Sequence, residues 1–160
     1  MAIAISEEAR SVLRAAGWQE GRVVDLEPIR AFLEQHGFDL FATARDCLAE
    51  LHGFKARLSR RGGLSFVHFD VFEAVAQIEE GDRPYIDALA PAPLCPVGHG
   101  GGVMLFVSAD GEMVLLSDSW LGYSRVPSIA EGMDIILGIR RTPHYDGVAL
   151  TREQIPPGYR

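Results

Sequence analysis

The sequence predicts a single α+β domain: a central antiparallel sheet, helices packed from the N-terminal side, and one closing C-terminal helix. Three observations carry this. Amphipathic helical stretches crowd the first third of the chain. In the stretch Val103 to Ser117, two apolar runs flank Asp110-Gly111, a strong short-range hairpin signal, and Val103 to Val107 is expected to pair antiparallel with Val114 to Ser117. A last helical pattern after Ser128 then stops at Gly138. The domain is expected over residues 1–139, with residues 140–160 as a tail laid on the surface or partly mobile.

The elements follow in order. Ser6 caps a first helix, with Glu7 and Glu8 in its first turn, where the dipole favours acids. Ala9, Val12, Leu13 and Ala16 recur at i, i+3, i+4, i+7. Gly17 ends this helix and Trp18 folds back on Leu13, buried. Asp25 and Pro28 start a second helix closed by Gly37-Phe38, and Thr43 caps a third closed by Gly53-Phe54. Phe54 to Ser59 and Leu64 to Phe69 read as strands around a turn at Arg60 to Gly63. Asp70 caps a helix with Glu73 three residues on, the pattern of a capping box. A short helical turn follows over Pro84 to Leu89. Pro91, Pro93 and Pro96 argue against regular structure up to Gly98.

In the Asp110-Gly111 hairpin a type I′ turn sets Val107 opposite Val114 and Phe106 opposite Leu115. Both faces of the pair are apolar, so these are central strands covered on two sides. Tyr123 to Val126 reads as an edge strand, and Ser128 caps the last helix.

A hydrophobic content of 48% and a charged content of 23% describe a soluble globular chain. There is no secretory pattern and no apolar run near the roughly 20 residues of a membrane helix, so a cytoplasmic location is expected. Cys47 and Cys95 sit far apart, which favours free thiols over a disulfide in that setting. A net charge of −7 argues against direct nucleic-acid binding and suits a basic protein partner.

No catalytic, metal or cofactor motif stands out. His36, His52, His68, His99 and His144 show no metal-ligand spacing. His36 and His52 each precede a helix-ending glycine, where a cation favours the helix dipole. Cys95 with His99 and the glycines Gly98 to Gly102 could form a reactive thiol site or a phosphate loop. The Lys-Ser/Thr of a P-loop is missing, and a strand rather than a helix follows. A flexible turn is the simpler reading.

Charge distribution is more informative. Lys55 to Arg61 holds four bases and no acid, while Asp70 to Asp87 holds six acids against Arg83 alone. Local acid excess in an acidic domain can dock a basic partner. Glu73, Glu79, Glu80, Asp82 and Asp87 are therefore the candidate partner-binding residues. Asp118, Trp120 and Tyr123 join them, because aromatics beside an acid in a loop can anchor a partner. Trp120 could equally close the core.

The stretch LRAAGWQEGRVVD, Leu13 to Asp25, resembles the opening of the third subgroup of the SUKH superfamily of bacterial immunity proteins. The order of motifs continues through Ala31 to Phe38, Leu51-His52-Gly53, Gly63-Leu64, Pro96-Val97-Gly98, the Asp-Gly hairpin, and Gly122 with the last helix to Gly138. The likeness runs from about Ser6 to Gly138. It departs at Ser59 to Gly62 and beyond Arg140. It implies a SUKH-like α+β fold and a non-enzymatic protein that binds and blocks the toxin domain of a polymorphic toxin system. The competing expectation is a small enzyme or ligand-binding domain built on Cys95, His99 and the glycine loop.

Overall fold

The computed structural model describes residues 3–59, 61–120, 122–140 and 151–159. Among these residues the chain forms a six-stranded antiparallel meander, ordered β1 to β6 as in the sequence. The strands are β1 (Lys55–Arg57), β2 (Phe66–His68), β3 (Leu94–Gly100), β4 (Val103–Ser108), β5 (Met113–Ser117) and β6 (Tyr123–Val126). The helices are α1 (Glu7–Ala15), α2 (Glu27–Gln35), α3 (Ala42–Leu51), α4 (Val71–Ala76), α5 (Arg83–Asp87) and α6 (Ile129–Ile136). The predicted α+β class and its central antiparallel sheet are what the structure shows.

Helix ends follow their local signals. The Ser6 hydroxyl accepts from the Ala9 N–H at 3.1 Å and donates to Asp134 Oδ1 at 2.7 Å, so one cap also ties α1 to α6. After α1 the chain turns at Gly17 (φ +99°), and the Trp18 N–H returns to the Leu13 carbonyl at 2.9 Å. Asp70 and Ser128 cap α4 and α6 through the backbone N–H groups of Glu73 and Glu131. Thr43 departs from its predicted role. It is the second residue of α3, after the cap position at Phe41, and its hydroxyl donates to the Ser108 carbonyl at 2.6 Å, pinning the helix to the hairpin.

Both faces of the sheet are covered, as the doubly apolar hairpin predicts. Leu105, Val107, Met113 and Leu115 join a large core with α1, α2, α3, α4 and α6. Met104, Phe106, Val114 and Leu116 join a smaller one with Ile86, Leu89, Trp120 and Ile155. Ile155 lies in the predicted tail, so part of that tail packs into the core. The tail's residues 141–150 lie outside the described residues, as does Arg60 of the β1–β2 turn.

The hairpin register differs by one residue from the expectation. Val107 pairs with Met113 and Phe106 with Val114. The Ser108 and Glu112 backbones close a three-residue loop, in which Gly111 alone takes positive φ (+89°). That slip exchanges the two faces of β5 relative to the expected pairing, which both faces tolerate because both are apolar. The two-residue turn with positive φ at both positions lies one hairpin earlier, at Gly101 (+56°) and Gly102 (+78°) between β3 and β4. Gly111→Val should cost about 1–3 kcal/mol of stability, from forcing a β-branched residue into a left-handed conformation. Thermal melting checks this: a midpoint within about a degree of wild type contradicts the turn geometry.

β3 itself was not expected, because Pro96 lies inside it. The pairing of β3 with β4 shifts register between Pro96 and Gly98, and β2 meets β3 only at His68 opposite His99. A proline is tolerated at such an irregularity, where its missing N–H breaks no ladder bond on the β2 side.

Candidate functional site

The polar cluster at the junction of α4 with β2 and β3 follows from backbone geometry. A Cβ on Gly98 would lie 2.5 Å from the His68 carbonyl oxygen, and one on Gly100 would lie 2.1 Å from that of Phe66. Only glycine lets β3 come this close to β2. The close approach sets His99, between those glycines, beside His68, with ring centroids 5.8 Å apart. Phe66 stands edge-on to His99 at 5.9 Å.

Into this pair the capped first turn of α4 projects Glu73. His68 Nδ1 and His99 Nε2 each donate to the same oxygen, Glu73 Oε2, at 2.7 Å. His68 Nε2 lies 3.7 Å from Asp70 Oδ2. The imidazoles are mostly shielded, their side chains 12% and 19% exposed, while Glu73 is 50% exposed. The hydrogen bond from His99, then that from His68, holds the Glu73 carboxyl below the usual carboxylate range. The ligand-type atoms of the three side chains lie within 4.8 Å of one another. Chain spacing could not show this, because the sheet joins histidines 31 positions apart (99 − 68).

The acidic stretch divides. Glu79 and Glu80 are exposed beside a groove of about 420 Å³ lined by Gln35, His36, Phe38, Val75, Ile78 and Arg83. Asp87 is exposed and paired with Arg83 at 2.9 Å. Asp82 is not on the surface. It is 4% exposed, and its carboxylate accepts from the Glu79 N–H at 2.9 Å to close the turn before α5. Beyond the hairpin, Asp118 is exposed but Trp120 is 1% exposed, so Trp120 closes the smaller core rather than presenting an anchor. Tyr123 is half-buried against that same core, whereas α4 packs on the opposite face of the sheet. The predicted partner residues thus do not form one patch.

The sequence missed Phe72. It is 40% exposed on α4, between Asp70 and Glu73, and contacts Phe32 at 4.7 Å and His52 at 5.8 Å. The only signal for it was its place in α4 off the Val71-Ala74-Val75 stripe, which marks an outward-facing side chain. His36 donates from Nδ1 to the Phe32 carbonyl at 2.8 Å, in keeping with its place at a helix end. His52 departs from that pattern. Burial pushes its pKa below the usual histidine value, so its ring favours the neutral form.

The alternative constellation does not assemble. Cys95 is fully buried, its thiol donates weakly to the Pro96 carbonyl at 3.6 Å, and burial pushes its pKa well above the usual thiol value. A thiol so placed is not available as a nucleophilic thiolate. His99 is a strand residue, and the glycines around it serve strand contact and a tight turn rather than a phosphate cradle.

Among the described residues no helix is long and apolar enough to cross a membrane. Neither the curated proteins nor the solved structures contain a match to the chain. The family model described as SUKH-3 immunity protein does match, over residues 5–127, from the cap of α1 past the end of β6. With that span and this fold, the chain belongs to the SUKH-3 immunity protein family.

Proposed function

We infer that this chain neutralises the toxin domain of a bacterial polymorphic toxin system by binding it in the cytoplasm, with no catalysis of its own. Membership of an immunity family sets the class. The observation that supports the binding surface is the exposed aromatic of α4, Phe72, followed along the chain by the exposed acids Glu79, Glu80 and Asp87. Aromatic side chains that become desolvated dominate interface energies, and charged rims steer encounter. An acidic inhibitor is suited to a basic partner, and toxin domains that attack nucleic acid carry positive surface for phosphates. Covering that surface blocks substrate without chemistry. Glu73, half-exposed on the same helix as Phe72, adds to the acids there, and Asp118 offers a separate acidic contact.

The test uses a candidate toxin domain encoded beside this gene. Co-expression with the wild-type chain should restore growth, and the purified pair should form a complex. Phe72→Ala should keep the fold and weaken the complex by about 30-fold, the loss of roughly 2 kcal/mol that marks an interface anchor. Unchanged affinity would remove α4 from the interface. No protection and no complex with the adjacent toxin would overturn the immunity reading itself.

A further inference from the structure

We propose that His68, His99 and Glu73 form a binding site for one divalent metal ion of the zinc class. Two imidazole nitrogens and one carboxylate oxygen are a donor set that borderline divalent ions prefer over calcium or magnesium, which take oxygen ligands. The three donor atoms already converge: both nitrogens point at Glu73 Oε2 from 2.7 Å, and all the ligand-type atoms fall within 4.8 Å. An ion about 2.0–2.2 Å from each donor requires the Glu73 carboxylate to draw back from its two 2.7 Å contacts, and Glu73 is half-exposed.

Three further features support a built site rather than a chance contact. Both histidines stand on paired strands, at the one register point where β2 meets β3, so their separation is fixed by backbone. Gly98 and Gly100 are required for that approach, as any Cβ there would strike the β2 backbone. Asp70 stands 3.7 Å from the other nitrogen of His68. When Nδ1 binds the ion, the proton of the neutral ring resides on Nε2, facing the Asp70 carboxylate. At 3.7 Å the two are not hydrogen-bonded, but a modest approach would supply the outer-shell contact that orients metal-bound histidines. The exposed side of Glu73 leaves a fourth position for water or for a donor from a bound protein. Such an ion would link β2, β3 and the first turn of α4, on the surface that carries Phe72.

The experiment titrates zinc into the chelator-stripped full chain by calorimetry, and repeats it with cobalt, read by its ligand-field absorption. Wild type should bind one equivalent, melt at a higher temperature with zinc, and give the spectrum of a four-coordinate cobalt centre. Glu73→Gln and His99→Gln should each weaken zinc at least about tenfold, the least that even outer-shell changes typically cost. Neither change touches the α4 cap, which uses the Glu73 backbone N–H. His36→Gln, away from the cluster, should bind as wild type does. Absence of saturable uptake by wild type would overturn the proposal. So would uptake that both variants keep, because the ion would then sit elsewhere.

Discussion

Trp18→Ala is expected to lose about 3–5 kcal/mol of stability, the range for deleting a large buried aromatic. Trp18 is 3% exposed and sits where the end of α1 meets α3. Its indole N–H donates to the Glu50 carbonyl at 3.1 Å, and the Glu50 carboxylate in turn accepts from the Ile3 N–H at 2.8 Å. Truncation therefore leaves a cavity and a buried carbonyl short of a donor, two costs that add. Trp18→Phe restores most of the volume but not the donor, so it should lose clearly less than alanine. Urea unfolding of the three proteins measures both steps. An alanine variant within about 1 kcal/mol of wild type would contradict the packing described.

The second large effect falls on a residue with no side chain. Gly100→Ala should cost about 3 kcal/mol, the upper part of the range for overpacking, because the added carbon meets backbone that cannot rotate away. The Phe66 oxygen would be 2.1 Å from it and the Val67 Cα 2.8 Å. The two strands must separate, which also pulls His99 from His68. Alanine at Gly21, where a Cβ meets nothing within 4 Å, provides the contrast: only the positive φ of +79° is penalised there. Unfolding free energies that rank Gly21→Ala as the more damaging change would contradict the close approach of β2 and β3.

The helices were legible because their signals are local. Ser6, Asp70 and Ser128 cap through groups three residues away, and Gly17-Trp18 closes a turn within five residues. Strand facts were less so. The presence of a doubly covered hairpin was readable from two apolar runs, but its register was not. When both faces are apolar, the pattern no longer penalises a slip of one residue, and the choice falls to turn geometry. Pro96 hid β3, because a proline reads as a breaker unless the bulge beside it is known.

At the site the losses were larger. Asp82 and Asp87 look alike in sequence, yet one is consumed by a turn and the other faces solvent. Trp120 reads as a loop anchor until the second core under it is seen. The His68–Glu73–His99 cluster is a product of strand pairing, invisible to any search for ligands at short spacing.

The claim that an acidic surface receives a basic toxin is tested most directly by association rate against salt. The charge variant must spare the turn before α5. Glu79 and Asp82 cap each other's backbone, so the pair to reverse is Glu80→Lys with Asp87→Lys. Stopped-flow association with the adjacent toxin domain, from low to high salt, is measured for wild type and this double variant, with equal melting temperatures confirming the fold. Wild type should associate fastest at low salt and slow steeply as salt rises. The variant should start slower, with a flatter salt dependence and a smaller change in dissociation rate. Superimposable rates and salt slopes for the two proteins would contradict the assignment and take Glu80 and Asp87 out of the interface.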